Sequence, residues 1–296
     1  MTPFLLAVMG PTGSGKSAVA EAVAAETGAW LVNADAFQVY RGLDIGTNKP
    51  VDRSLYRLID VVGPTEDFGV GQWVGLALDE LGAAFGKGRN VVVVGGTGLY
   101  VRALFEEYAD MSAAPDPELR SSLMKREEVE GSATLVAQLR DIGAADGVDL
   151  ANPVRVRRAL ERALGASTRI EVRLPGFRKV KVALAPPVPL LDEELPRRVN
   201  RMWEAGWPEE VEGLLDSGVP ESAPSFRAIG YQSVASFLRG RSARQETEAA
   251  IAQQTRRYAK RQRTWLRSEP LLTVIGTESV DDRAVRKATS DVLQFL

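Results

Sequence analysis

The sequence predicts an α/β fold, a parallel β-sheet flanked by helices, with a mostly helical insertion between two of its strands. Three observations support this prediction. An apolar run at residues 4–9 leads into the glycine-rich stretch GPTGSGKS, residues 10–17, and then into a segment rich in helix-forming residues. Apolar runs and helical patterns alternate as far as residue 104, as in a doubly wound sheet. Residues 108–170 read instead as helices separated by polar turns.

Each predicted strand is a short apolar run bounded by turn residues, as expected of strands buried on both faces. The predicted strands occupy residues 4–9, 30–35, 56–62, 90–96, 179–186 and 271–276. Helices are predicted directly after the glycine-rich stretch, at residues 74–88, three times in the insertion, after residue 192 and at the C-terminal end. We therefore expect residues 1–107 and 177–296 to form one α/β core with a basic C-terminal helix, and residues 108–176 to form the insertion domain.

The composition excludes several kinds of site. The chain of 296 residues contains neither cysteine nor histidine, which excludes disulfides, a catalytic thiol and imidazole acid–base chemistry and argues against a zinc centre. Lys and Arg number 37 against 39 Asp and Glu, so any surface that binds nucleic acid must be a local basic patch. No basic segment precedes the first apolar run, so we expect no signal peptide or membrane span, and a soluble, cytoplasmic protein.

The glycine-rich stretch fits the pattern G-x-x-x-x-G-K-[ST], whose backbone N–H groups bind phosphate oxygens at the N-terminus of the following helix. With a strand before it and a helix after it, the loop predicts a core like that of P-loop NTPases. Its lysine supplies a positive charge, and its last hydroxyl is a candidate ligand for Mg2+. The predicted phosphate-binding residues are Gly10, Thr12, Gly13, Ser14, Gly15, Lys16 and Ser17, and Ser17 is also the predicted metal ligand.

The loop alone does not identify the reaction. A GTPase also needs a D-x-x-G element followed later by N-K-x-D. Residues 60–63 fit the first element, but the partial match to the second, at residues 48–51, precedes it and lacks the Asp. This order argues against a GTPase, whereas the loop leaves a nucleoside-phosphate kinase open.

Asp35 follows the second predicted strand, at the edge of the sheet where open α/β folds bind ligands. Its carboxylate is therefore expected near the phosphates of the loop. In a chain without histidine it is a natural general base. The alternative is a carboxylate that only caps a turn or a helix.

Further motifs follow in a specific order and spacing. They are DAFQVYR (35–41), IGTNKP (45–50), LID (58–60), VGGTGLY (94–100), RVRRALE (155–161), RRVNRMWEAGW (197–207), AIGYQS (228–233) and TRRYAKRQRTWLR (255–267). Together with the phosphate loop, they make the chain resemble the tRNA dimethylallyltransferases, or tRNA isopentenyltransferases, over most of its length. That family transfers a dimethylallyl group from dimethylallyl diphosphate to the exocyclic amine of the adenosine 3′-adjacent to the anticodon. The resemblance implies that the loop binds a diphosphate leaving group and that no triphosphate is consumed.

The resemblance also implies catalytic roles for three residues. Asp35 would accept a proton from the adenine amine. Thr97 would lie near the reacting centre, and Arg198 would contact the diphosphate. Negative charge grows on the diphosphate as it departs, and Lys16 and a Mg2+ cofactor at Ser17 would stabilise it. The alternatives are a Thr97 that caps a helix and an Arg198 that is a solvated helix residue.

A basic helix is expected to bind the tRNA. Residues 255–267 contain six Arg or Lys and no acid, with part of the charge on one helical face and aromatic side chains on another. On its own the run is equally compatible with a solvated face. The resemblance favours RNA, and it adds a second basic cluster in the insertion, which the family uses to clasp the anticodon stem. The predicted tRNA contacts are Gln38, Tyr40, Arg155, Arg158, Arg256, Tyr258, Lys260, Arg263 and Arg267, of which Tyr40 and Tyr258 are also candidates for the core.

Some residues depart from the family pattern. Ala36 and Phe37 replace the small polar residues usual after the motif Asp, Tyr56-Arg57 stand where a His is common, and Glu194 replaces an Arg. These changes bear on the expected nucleotide contacts rather than on the reaction. Without Cys or His, the chain resembles the shorter bacterial members, which lack a C-terminal zinc finger.

Three other functions compete with tRNA prenylation. Prenylation of a free adenine nucleotide needs neither the basic helix nor the insertion. A nucleoside-phosphate kinase would turn over ATP. An RNA-binding module without catalysis would leave Asp35 and the loop unexplained. The expected partners are therefore dimethylallyl diphosphate and the anticodon stem-loop of tRNA, with no membrane, and the protein is expected to be a monomer.

Overall fold

The computed structural model describes residues 2–107, 111–112, 116–165 and 169–296. They divide into two compact units, one formed by residues 1–107 and 173–296 and the other by residues 108–172. In this described part of the chain, no helix is both long and apolar enough to cross a membrane.

Eight strands are present in the described residues. In chain order they are β1 (Phe4–Met9), β2 (Trp30–Asn33), β3 (Tyr56–Arg57), β4 (Val91–Val94), β5 (Met111–Ser112), β6 (Arg169–Ile170), β7 (Arg178–Ala185) and β8 (Leu272–Gly276). Six of them form a sheet in the first unit, in the order β3-β2-β4-β1-β7-β8, and every neighbouring pair is parallel. β5 and β6 form an antiparallel pair in the second unit. The predicted fold class, a parallel sheet flanked by helices with a mostly helical insertion, is confirmed.

Eleven α-helices accompany the strands in the described residues. They are α1 (Lys16–Thr27), α2 (Val70–Gly86), α3 (Gly98–Phe105), α4 (Pro117–Glu130), α5 (Ser132–Asp141), α6 (Pro153–Leu164), α7 (Val188–Glu204), α8 (Trp207–Asp216), α9 (Tyr231–Leu238), α10 (Arg244–Leu266) and α11 (Asp282–Leu293).

The core of the first unit explains the continuous apolar runs in the sequence. Every residue of β1 and β4 is buried, as expected of central strands covered on both faces. One hydrophobic cluster joins β1 and β4 to α1 and α11, with Val8, Val19 and Val292 among its members. The carboxyl ends of β1, β2 and β4 thereby come to lie side by side at one edge of the sheet.

The third predicted strand is much shorter than expected. The sequence predicts a strand at residues 56–62, but the extended pairing ends at Arg57. Leu58 and Asp60 adopt positive φ angles of 63° and 56°, which turn the backbone out of the strand conformation. Only an isolated parallel bridge, between Tyr40 and Val62, continues beyond this point.

The second unit is held together by its own helices. α4, α5 and α6 enclose a small cluster of buried residues that includes Leu123, Leu139 and Leu160. The side chain of Glu161, which is only 8% exposed, accepts a hydrogen bond of 2.9 Å from Arg120 Nε. This unit therefore has a core that does not depend on the parallel sheet.

Candidate active site

The phosphate loop lies between β1 and α1, as predicted. Gly13 and Gly15 have φ angles of 81° and 79°, in the left-handed region that glycine adopts at least cost, and α1 begins at Lys16. A side chain at Gly10 would approach Ser14 Oγ to 2.5 Å, so the loop has no space for one there. Ser14 Oγ is buried without a hydrogen-bond partner among the described residues.

A cavity of about 500 Å3 opens beside this loop. The predicted site residues that line it are Thr12, Lys16, Ser17, Asp35, Gln38, Arg198 and Tyr258. They come from the phosphate loop, the turn after β2, α7 and α10. The fold thus brings the predicted base, the predicted diphosphate arginine and the phosphate loop to one place.

Two cations, Lys16 and Arg198, line this cavity. Neither Lys16 nor Arg198 forms a hydrogen bond or salt bridge with another described residue. Burial and, to a smaller extent, the positive charge of Arg198 lower the pKa of Lys16 from 10.5 to about 8, while Asp35 acts in the opposite direction. Burial also lowers the pKa of Arg198, and Asp35 again opposes this shift. Two desolvated positive charges side by side favour the binding of a polyanion.

Asp35 combines the two roles that the sequence left open. Its Oδ1 atom accepts hydrogen bonds from the N–H groups of Phe37, at 2.9 Å, and Gln38, at 3.4 Å. Its own N–H donates to Asn33 Oδ1 at 3.2 Å, and the amide of that Asn donates to Leu58 O. One carboxylate oxygen therefore shapes the turn, while Oδ2 has no hydrogen bond within the described residues.

Thr97 stands at the N-cap position of α3, but its side chain does not cap the helix. Its hydroxyl oxygen instead accepts a hydrogen bond of 3.0 Å from the N–H of Ala36, the residue after Asp35. Thr97 lines a second cavity of about 210 Å3 together with Gly10. The two cavities share four lining residues: Gly95, Tyr258, Arg261 and Gln262.

Gln262 is a site residue that sequence reasoning missed. Its side chain is buried, its Oε1 accepts a hydrogen bond of 2.8 Å from Thr12 N, and its Nε2 donates one of 2.9 Å to Gly96 O. It thereby connects α10 to the phosphate loop and to the end of β4. The available signal was its position four residues after Tyr258, on the same helical face, as an uncharged residue within a basic run.

The two predicted nucleotide contacts near Asp35 are placed differently. Gln38 lines the cavity, but its amide nitrogen donates to Thr47 O and Asn48 O at 3.1 and 3.0 Å, so both N–H groups are used internally. Tyr40 is only 3% exposed and is not among the residues that line the cavity. Tyr40 therefore lies in the hydrophobic core, the alternative to a tRNA contact that the sequence allowed.

The loop at residues 44–49, which forms one wall of the cavity, is fixed by two charged residues that the sequence did not single out. Lys49 Nζ donates to Tyr40 O, Asp44 Oδ1 and Asp60 Oδ1 at 2.6, 2.8 and 2.5 Å. The Glu210 carboxylate accepts hydrogen bonds from the backbone N–H groups of residues 44, 45 and 46 and from the hydroxyl of Tyr231. The wall is therefore rigid although it has no regular secondary structure.

The predicted basic face of α10 is divided in the structure. Arg256 pairs with Asp192 at 3.2 Å, Arg263 donates to Pro186 O at 2.8 Å, and Arg267 donates to Thr264 Oγ1 at 3.1 Å. Lys260 is exposed and has no partner among the described residues. Tyr258, on the opposite side, lies in the active-site cavity, where burial raises the pKa of its hydroxyl. Of the predicted face, Lys260 is thus the residue most accessible to a ligand.

The two predicted tRNA contacts of the insertion lie on α6, in the second unit. Arg155 is exposed and pairs with Asp149 at 3.6 Å. Arg158 is also exposed and donates to Glu161 at 2.8 Å. Both side chains keep most of their surface in contact with solvent.

Comparison with known proteins matches this site to one family. A family model described as IPP transferase matches residues 38–269, and a model described as isopentenyl transferase matches residues 3–60. The tRNA dimethylallyltransferase of Symbiobacterium thermophilum is 34% identical over 304 residues, which cover 99% of this chain and 94% of the relative. The tRNA dimethylallyltransferase 1 of Trichlorobacter lovleyi is 38% identical, over 92% of this chain and 93% of the relative.

A solved structure extends the similarity to the fold. The crystal structure of the full-length tRNA isopentenylpyrophosphate transferase from Bacillus halodurans superimposes with a TM-score of 0.71 at 31% identity. The alignment covers 98% of this chain and 96% of that structure. By sequence, by fold and by the residues gathered at the phosphate loop, the chain belongs to the IPP transferase family.

Proposed function

We propose that this protein transfers a dimethylallyl group from dimethylallyl diphosphate to the exocyclic amine of the adenosine 3′-adjacent to the anticodon in tRNA, with release of diphosphate. The observation that carries the proposal is the arrangement of Lys16, Arg198 and Asp35 in one cavity, where two cations that form no salt bridge with the described residues adjoin a carboxylate. The family relationship supports it, since relatives over nearly the whole chain are tRNA dimethylallyltransferases.

The reaction requires one bond to form as another breaks. The amine nitrogen of adenine forms a bond to the allylic carbon, while the bond between that carbon and the diphosphate oxygen breaks. Diphosphate leaves with the electron pair, and the loop N–H groups, Lys16 and Arg198 stabilise its growing charge. The nitrogen loses one proton, which Asp35 accepts at its free Oδ2 atom. Thr97 holds the Asp35 turn in place through Ala36 N.

Ser17 suits the Mg2+ ion that this chemistry calls for. Ser17 lines the cavity directly after Lys16, and Mg2+ is commonly held by few protein ligands together with substrate phosphates. The described residues contain no group of three acidic residues suited to hold a metal on their own. We therefore expect the ion to bind with the diphosphate, where it neutralises part of the charge of the leaving group.

The remaining parts of the proposal concern the partners. The exposed cation Lys260 on α10 and the exposed arginines of α6 would contact phosphates of the anticodon stem-loop, which the insertion would clasp. The protein would act as a monomer in the cytoplasm.

A transfer assay tests the proposal. The protein is mixed with labelled dimethylallyl diphosphate, Mg2+ and either unmodified tRNA with an adenosine after the anticodon or free adenosine monophosphate. Label in tRNA alone is the expected result. Label in the free nucleotide would mean that the substrate is a mononucleotide, and label in neither would contradict prenyl transfer.

A further inference from the structure

One aromatic residue that lines the active-site cavity, Phe37, is only half-buried and has no polar group that could bind within the protein. Among the described residues, the aromatic lining of the cavity consists of Phe37, Tyr56, Trp207 and Tyr258. Trp207 is only 1% exposed and fills the space left by Gly46 and Gly230. The hydroxyl of Tyr56 donates to Glu21 at 2.6 Å, and the hydroxyl of Tyr258 donates to Gly96 O at 3.5 Å. Phe37 has no polar group and is half-buried, so part of its ring faces the cavity.

Phe37 is held at a fixed place relative to the proposed base. Its backbone N–H donates to Asp35 Oδ1 at 2.9 Å, and the preceding N–H donates to Thr97 Oγ1. Its ring lies 6.4 Å from that of the buried Tyr40, with an angle of 32° between the ring planes. These contacts fix the position of the Phe37 backbone relative to the carboxylate of Asp35.

The polar groups around Phe37 are largely occupied by the protein itself. Gln38 uses both amide N–H groups on Thr47 O and Asn48 O. Asn33 uses its amide nitrogen on Leu58 O and its oxygen on Asp35 N. This wall is consequently better suited to contact the flat face of a base than to read its polar edge.

From these observations we propose that Phe37 stacks on the target adenine and replaces the stacking that the base loses when it leaves the RNA loop. The inference rests on the proposed function. A base whose amine reaches Asp35 must place its ring close to the residues that follow, and unpaired bases bound by proteins are commonly stacked on aromatic side chains. Phe37 is thus a residue that determines how tightly this chain binds its target nucleotide.

A double-mutant cycle tests the stacking contact. Binding of two anticodon stem-loop RNAs, one with adenosine and one with an abasic site at the target position, is measured by fluorescence anisotropy with inorganic diphosphate and Mg2+ present. The proteins are wild type, Phe37→Ala, Phe37→Tyr and, as a control that also shortens an apolar side chain of the cavity, Val51→Ala.

We expect Phe37→Ala to raise the Kd for the adenosine RNA about 5- to 100-fold and to leave the Kd for the abasic RNA unchanged. Phe37→Tyr and Val51→Ala should behave like wild type with both RNAs. Equal losses for the two RNAs, or no loss with either, would overturn the inference. Transfer to tRNA by the wild type is measured in parallel. If the wild type transfers the group to tRNA but the binding data show no stacking contact, only the role of Phe37 is refuted. If the wild type does not transfer the group, the proposed function is refuted as well.

Discussion

At the scale of single residues, the carboxylate of Asp35 has two oxygen atoms with different tasks. Oδ1 holds the turn, and Oδ2 is free to accept a proton. Asp35→Asn keeps an acceptor for the turn but removes the base, so we expect the single-turnover transfer rate at saturating tRNA to fall about 100- to 10,000-fold. Rapid-quench measurement of labelled tRNA gives this rate.

The Kd for tRNA and the melting temperature are the controls for this variant. Both should stay close to wild type for Asp35→Asn, whereas Asp35→Ala should also lower the melting temperature because it releases the N–H groups of Phe37 and Gln38. If Asp35→Asn transfers the group as fast as wild type, Asp35 is not the general base.

The lowered pKa of Lys16 predicts that diphosphate binding depends on pH. Its pKa in the empty site is about 8, so the side chain is charged below pH 8 and loses its charge above it. We expect the Kd for inorganic diphosphate, measured by titration calorimetry, to rise above pH 8 with a slope of up to about tenfold per pH unit. Because the unfolded chain keeps Lys16 protonated up to its ordinary pKa of 10.5, the free energy of unfolding should also increase with pH between these two values.

Lys16→Arg is the matched control, since a guanidinium stays charged over the whole range. Ionisation of the ligand itself affects both proteins equally. The difference between their slopes therefore reports on Lys16. Parallel slopes for wild type and Lys16→Arg would show that Lys16 does not titrate in this range.

At the scale of elements, α10 has an inner side that contacts the phosphate loop and an outer side that carries exposed charge. Its inner side reaches the phosphate loop through Gln262, so Gln262→Met leaves the N–H of Thr12 and the carbonyl of Gly96 without these partners. Gly96 O would keep only the hydroxyl of Tyr258, at 3.5 Å, and the partly buried N–H of Thr12 would have no partner among the described residues. An unsatisfied group of this kind costs on the order of 1 kcal/mol, so we expect a lower melting temperature and weaker diphosphate binding, by roughly tenfold. Gln254→Met, on the same helix, is the control. It removes a hydrogen bond to Ser233, a residue outside the phosphate loop, and should leave diphosphate affinity unchanged. If Gln262→Met and Gln254→Met bind diphosphate with equal affinity, Gln262 has no part in diphosphate binding.

The outer side of α10 is predicted to contact RNA through Lys260. Lys260→Glu should raise the KM for tRNA and reduce the slope of log Kd against log salt by about one, since one phosphate contact is lost. The KM for dimethylallyl diphosphate should not change. Lys287→Glu, the same substitution at an exposed position of α11, should have little effect on either value. If both substitutions weaken tRNA binding equally, only net charge matters and Lys260 makes no specific contact.

The strands and loops also show which parts of the fold could be predicted from the sequence. The strands that flank the phosphate loop were predicted because central parallel strands are continuous apolar runs, as β1 and β4 are. The strand predicted at residues 56–62 ends at Arg57, because Leu58 and Asp60 adopt positive φ angles that their residue types do not announce. Lys49 and Glu210 were missed for a related reason: a single charged residue gives no local pattern, and its partners are distant in sequence.

At the scale of the whole molecule, the site could be predicted where local motifs coincide with the ends of strands. The phosphate loop and Asp35 each follow a strand, and parallel strands bring their carboxyl ends together, so their meeting was predictable. Gln262 is 250 positions from Thr12, and only the folded chain shows that α10 reaches back to the loop. The basic run at residues 255–267 predicts a charged surface, whereas the contact with the phosphate loop is made by the buried, uncharged amide of Gln262.

The division into two units leads to a prediction about the molecule as a whole. The insertion has its own core around Leu123, Leu139 and Leu160, and Glu107 is held beside β7 by an ion pair of 2.7 Å with Lys179. Replacing residues 108–172 by a short glycine–serine linker should therefore leave the parallel sheet folded. We expect cooperative unfolding and wild-type affinity for inorganic diphosphate, but a KM for tRNA raised on the order of tenfold or more, because the phosphate contacts proposed for the insertion would be lost. An unchanged KM for tRNA would show that the insertion does not hold the anticodon stem. Loss of diphosphate binding would show instead that the phosphate loop needs the insertion in order to keep its shape.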